Sequence, residues 1–212
     1  MITNWAVDTE FFTWEEDAGA IVDKGVRKQF KDALYNQLEV DPYSCTVVAT
    51  ATAITNLTWK IIPYSLMKKA LDNMKKDGKF TSGYGAAMRD WVNYMVMAFN
   101  EEFKASITPV LIPLTEASLY YGLKFSPVVS GIKYWKKYFQ DEQDNGEINL
   151  SVEEVGGSNG HAITFVKANT LDDYLVKYAE NYAGKLTYNV IMTNFTKNRK
   201  LFFNSAYYFK TN

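Results

Sequence analysis

Two side chains that do much of the chemistry in enzymes are almost missing from this sequence. The 212 residues contain one cysteine and one histidine. A single cysteine excludes an intramolecular disulfide and every cysteine-rich zinc site; a single histidine excludes HExxH and other multi-histidine metal sites. There is no GxGxxG fingerprint and no Walker loop, so neither a metal nor a cofactor is expected. An excess of charge of one sign is also lacking: 23 Lys and Arg stand against 24 Asp and Glu, with no basic block. Nucleic acid is therefore not an expected partner. No apolar run approaches the ~20 residues a bilayer crossing needs. The N-terminus, MITNWAVDTEFFTWEED, has no leading Lys or Arg and carries early acids. It does not read as a secretory signal, and a cytoplasmic location (a host cytoplasm or a virion, if the gene is viral) is the expectation. The N-x-S/T triplets at Asn56, Asn149 and Asn194 are read as chance matches to a glycosylation pattern.

What is present is a core-forming composition, 47% hydrophobic and 16% aromatic, in a chain the size of one domain. Residues 1–20 read as an extended arm anchored by Trp5, Phe11, Phe12 and Trp14. Residues 22–36 have helical spacing. From Ser44 to Leu57 an Ala- and Thr-rich run is too long for a strand and is read as a buried helix, despite its β-branched content. Ser65 is expected to cap a helix that Gly78 ends. Residues 85–105 form the strongest amphipathic helix, with Met88, Trp91, Val92, Met95, Phe99 and Phe103 on one face. Thr115 opens a short helix closed by Gly122.

The second half changes character. Residues 125–135, 160–168, 186–194 and 200–210 read as strands, and Asn145-Gly146 as a turn. Thr170 to Asp173 resembles a capping box, so 170–184 is expected to be helical. Helices first and strands later is the α+β pattern. The expected division is an arm to residue 20, a helical lobe to about 110 and a strand-rich lobe from about 111 to 212.

The lone cysteine and lone histidine both fall where they could work. Cys45 heads the predicted buried helix, where the macrodipole and unpaired N–H groups favour a thiolate. His161 opens a strand directly after Gly156-Gly157-Ser158-Asn159-Gly160, where glycine leaves room for close approach. Imidazole taking a thiol proton is enough to make a nucleophile. Against this, a cysteine heading an apolar helix is often an inert core thiol, and a histidine at a strand start is often structural.

Three segments decide the balance: "NQLEVDPYSCTVVATATA", "LKFSPVVSGIKYW" and "GGSNGHAITFVKA". Their order over residues 34–210 resembles the papain-like cysteine peptidases, in particular the short, divergent members of bacterial viruses and bacteria. The resemblance implies a helical first lobe and an antiparallel β second lobe with a cleft between them. It implies a thiol hydrolase, most simply a peptidase acting on a peptide or protein substrate. Cys45 would be the nucleophile, His161 the general base and acid, and Gln37 an oxyanion donor beside the Cys45 N–H. Asn204-Ser205 copies the family's Asn-Ser dipeptide, but Asn194 ranks first as orienting amide: if 161–168 pairs with 187–194, His161 faces Asn194. There are departures. The family's Gly-Ser-Cys-Trp is Tyr-Ser-Cys-Thr here, Asn-Ser-Trp-Gly is absent, and Gln37 lies farther from Cys45 than is usual. They keep a second reading open, a non-catalytic papain-like module such as a virion component assembled into a larger complex. An amidase or endopeptidase acting on peptidoglycan cross-peptides is a chemical neighbour of the first.

Overall fold

The Ala- and Thr-rich run is a helix, α1 (Cys45–Thr58), buried on every side from Thr46 to Asn56. That explains its weak periodicity: a helix surrounded by protein has no polar face to alternate with. Three of its polar side chains turn back on the helix itself, while the Thr55 hydroxyl meets that of Tyr35 at 2.8 Å. Thr52, Asn56 and Thr58 each donate to the carbonyl four residues earlier, at 2.8–2.9 Å. The computed structural model describes residues 35–82, 85–133, 160–168, 175–180 and 189–212. The expected N-terminal arm, nearly all of the 22–36 helix, the Asn145-Gly146 turn and the 170–173 capping box lie outside them.

Two further helices pack beside α1. In α2 (Tyr64–Lys76), Leu66, Met67, Ala70, Leu71 and Met74 are buried. Pro63, not Ser65, is its N-cap, and it makes no side-chain cap bond. Gly78, at φ +66°, ends it in the left-handed region as expected. In α3 (Met88–Phe103), Trp91, Val92, Met95, Val96 and Phe99 face inward. The short α4 (Glu116–Leu123) opens with a capping box between Thr115 and Ser118.

The strands are β1 (Ile107–Pro113), β2 (Val128–Ile132), β3 (His161–Ala168), β4 (Leu175–Glu180), β5 (Asn189–Asn194) and β6 (Ser205–Thr211). They form one six-stranded sheet in the order β1-β6-β2-β3-β4-β5, antiparallel throughout. The architecture is mixed helix and antiparallel sheet, the α+β class. Alternation along the strands divides the core in two. Val129, Ala162, Tyr207 and Phe209 face α1, α2 and α3. Val128, Ile132, Ile163, Phe165, Ala206 and Tyr208 face α4 and the Phe195–Phe202 segment. Thr164 ties the sheet to α1 through a 3.0 Å bond to the Ala49 carbonyl.

Two sequence expectations are corrected. Residues 107–113, assigned largely to the helical lobe, form β1, paired over its whole length with the last strand. Residues 175–180, expected as helix, form β4 between β3 and β5. The capping-box signal was local, and the open edge of β3 offered this segment a full ladder of backbone bonds instead. Because β4 intervenes, β3 does not pair with β5.

Candidate active site

Cys45 is the first residue of α1, and the turn before it is held by its own short-range bonds. Gln37 sits in a 3-10 turn (Gln37–Glu39) capped by Asn36, whose side chain accepts from the Leu38 N–H. The Gln37 carbonyl accepts from the Val40 and Asp41 N–H groups, both at 2.9 Å, and from the Ser44 hydroxyl at 3.3 Å. Ser44 also donates to the Asp41 carbonyl at 2.7 Å, and the Asp41 carboxylate accepts from the Tyr43 N–H at 2.9 Å. The eight positions from Gln37 to Cys45 are thereby wound into a compact knot, which absorbs their long spacing. Ser44 is the N-cap residue of α1, but its side chain makes no cap bond. The hydroxyl turns back into the knot instead of covering the first-turn amides. On the outer side, Gly85 (φ +77°) brings its backbone against the Tyr43 carbonyl, where a Cβ would lie at 3.3 Å.

His161 is the first residue of β3, opposite Ile132 of β2, and is 4% exposed. Its side chain comes close enough to the Cys45 thiol to act on it through hydrogen bonding and charge, so the only cysteine and the only histidine meet across 116 positions of sequence. Cys45 as a residue is partly accessible, but its sulfur is closely surrounded by protein. Burial is accordingly the largest influence on the thiol and pushes its pKa up. The His161 hydrogen bond, the His161 charge, the Ala162 backbone N–H and the Thr46 hydroxyl all pull it down, and together they prevail. The thiol is held below its ordinary value. Thr46 contributes through a hydroxyl 3.9 Å from the sulfur.

Gln37, expected as a donor beside Cys45, is 2% exposed. One hydrogen of its amide nitrogen is committed to the Pro42 carbonyl at 2.6 Å. That bond fixes which way the amide points, since the reverse orientation would set two acceptors against each other. The second hydrogen remains for a ligand, and the amide oxygen is buried with no partner among the described residues.

Neither proposed asparagine is brought to His161. Asn194 ends β5 opposite Leu175, beside the pair Val176–Ala168. It therefore lies at the far end of β3, seven residues or about 23 Å of strand from His161. Its side chain accepts from the Lys197 N–H at 2.9 Å in a local turn. Asn204 precedes β6, on the other side of β2 from β3. It is exposed, and its amide oxygen accepts from Arg199 at 3.4 Å. The expected pairing failed because a strand, not a helix, follows β3. β4 ends at Glu180, on the side of the sheet where β3 begins. The next residue in the sequence is Asn181, which lies outside the described residues. Val176 and Tyr178, strand-favouring residues two positions apart, were the available signal.

The glycosylation triplets keep their chance reading at two positions. Asn56 is 8% exposed within α1, and Asn194 is committed to its turn; Asn149 lies outside the described residues. Among the described residues no three His, Cys, Asp or Glu side chains gather as a metal site, and no helix is long and apolar enough to cross a membrane. Compared with known proteins, the chain matches no family model, and no curated protein matches it at a significant level.

Proposed function

We propose that this chain is a thiol hydrolase of papain-like architecture, a cysteine peptidase acting on peptide or protein substrates. The observation that carries the reading is the meeting of Cys45 and His161, a helix-head thiol with lowered pKa against a strand-start imidazole. Helices ahead of an antiparallel sheet, with the nucleophile on the long buried helix, support it.

The chemistry follows from the positions. The Cys45 thiolate attacks the substrate carbonyl carbon, and the π electrons move to oxygen. The Cys45 backbone N–H and the second hydrogen of the Gln37 amide stabilise that oxyanion, an effect worth about 3–4 kcal/mol where it has been removed by mutation. His161 gives its proton to the leaving amine, and the C–N bond breaks to leave a thioester. His161 then takes a proton from water, which attacks the thioester and releases Cys45.

A second reading is favoured by two observations: the Pro42 bond already held by Gln37 and the absence of both expected asparagines from His161. On that reading the chain is a non-catalytic papain-like module, such as a virion component. Labelling of Cys45 with a thiol-reactive epoxide at pH 6 separates the two. Fast labelling that His161→Ala removes is the expected result; labelling at the rate of an unstructured thiol leaves only the module. If labelling is fast, a panel of unmodified peptides and peptidoglycan cross-peptides separates a peptidase from an amidase.

A further inference from the structure

A ring from a distant segment packs against Gly160, the residue before His161. Segment 201–203 runs along the end of β2. Leu201 accepts from the Lys133 N–H at 2.7 Å, Phe202 bridges Ile132, and the Phe203 N–H donates to the Gly131 carbonyl at 2.8 Å. Phe202 is fully buried on the α4 face. Phe203, the next residue of an extended segment, turns its partly exposed ring to the opposite face, the one shared by Gly131 and Ala162.

That ring lies directly on two glycines. A Cβ on Gly131 would stand 2.5–2.9 Å from three of its atoms, and one on Gly160 would come closer still to its tip. Neither glycine has a positive φ. They are glycines for space and not for backbone conformation. One belongs to β2, and the other immediately precedes His161. The ring thus clamps the β2–β3 junction at the residue from which the imidazole projects.

We infer that Phe203 is a positioning residue: stacked on Gly131 and Gly160, it fixes the start of β3 and so aims His161 at Cys45. The inference deepens the thiol-hydrolase reading and takes its purpose from it, but the ring–glycine contact does not depend on catalysis. It also accounts for Gly160 without invoking room for the histidine ring.

Because His161 is the only histidine, its imidazole gives one unambiguous NMR signal, and Cys45 gives one alkylation rate. The full chain is compared with Phe203→Ala, Phe203→Leu, Gly160→Ala and the Phe203→Ala/Gly160→Ala double variant, across pH 4–9. In Phe203→Ala and Gly160→Ala we expect the imidazole signal to shift and its titration midpoint to move. Alkylation near pH 6 should fall about tenfold, the effect of one pKa unit on the thiolate. The double variant should be no worse than either single one, since both disturb the same contact. Phe203→Leu should be intermediate, and it carries the test with Gly160→Ala if circular dichroism shows Phe203→Ala unfolded. An unmoved imidazole signal in Phe203→Ala and Gly160→Ala, or strictly additive losses, would overturn the inference. If wild-type alkylation matches a free thiol while both variants move the imidazole, the hydrolase reading fails and the positioning role stands. A poised wild type with an unmoved imidazole gives the reverse.

Discussion

The two halves of the candidate site are held in different ways. Cys45 sits on a turn whose hydrogen bonds fall within nine residues, Gln37 to Val40, Asp41, Pro42 and Ser44, and Asp41 to Tyr43 and Ser44, with the Lys75 ammonium 3.7 Å from the Asp41 carboxylate as a longer tie. His161 has no comparable local scaffold among the described residues. It is placed by β2, thirty positions earlier, and by a ring on Phe203, forty positions later. The nucleophile is therefore set by local chain geometry, and the base by completion of the sheet. Local contacts form at little loop-closure cost, whereas the sheet must close long loops first. A variant that loosens the sheet should uncouple the pair by moving the histidine and leave the cysteine turn intact.

The comparison breaks most completely at the two side chains themselves. Cys45→Ala and His161→Ala should each lower hydrolysis by about 10⁴-fold or more, with the fold retained by circular dichroism. His161→Ala should also move the pH profile of Cys45 alkylation upward. Burial, the largest influence on the thiol, raises its pKa, and the substitution removes the two strongest opposing causes. The sign also bears on stability. The folded thiol titrates below the unfolded one, so ionisation of Cys45 stabilises the fold fully above the unfolded pKa of about 8.5. That contribution is lost as pH falls through the folded value. The stability advantage of wild type over Cys45→Ala, measured by denaturant titration, should therefore shrink on acidification; an advantage that grows would contradict the lowered pKa.

Gln37→Ala tests the local half. It should cost about 10²–10³ in kcat if the amide holds an oxyanion. Loss of the Pro42 bond alone would instead lower Tm and leave kcat/KM nearly unchanged. The asparagines sharpen the long-range half. Asn194→Ala and Asn204→Ala should each stay within about twofold in kcat, since both side chains are held in local bonds away from His161. A loss of about tenfold or more at either would mean that it does orient the imidazole. The smallest expected effect is at Thr46. Thr46→Val keeps shape and removes a hydroxyl 3.9 Å from the sulfur. It should slow alkylation near pH 6 by about two- to tenfold, within the range of one hydrogen bond, and Thr46→Ser should restore it.

How much could be read in advance follows the same division. The helix at Cys45 was legible because its length excluded a strand, although burial on all sides blurred its period. The stripe on α3 was legible because one of its faces is solvated: Trp91, Val92, Met95 and Phe99 are buried, and Met88 and Phe103 are partly buried against the same core. β3 was legible from its run of apolar and β-branched residues. β4 was not: its capping-box prelude spoke for a helix, and only neighbours on both sides make it a strand. That single error set Asn194 opposite His161, whereas it lies at the far end of β3. Phe203 could not have been singled out, since nothing near residue 203 refers to Gly131 or Gly160.

By itself the sequence determined that this protein has one thiol and one imidazole to work with, that the thiol heads a buried helix, and that the imidazole opens a strand. Those are consequences of composition, spacing and nearest neighbours along the chain. The tertiary structure alone decided that the two meet, that a ring from residue 203 packs on the glycine before the histidine, and that β4 separates β3 from β5. Each of these depends on which segments lie side by side in a sheet assembled from distant parts of the chain.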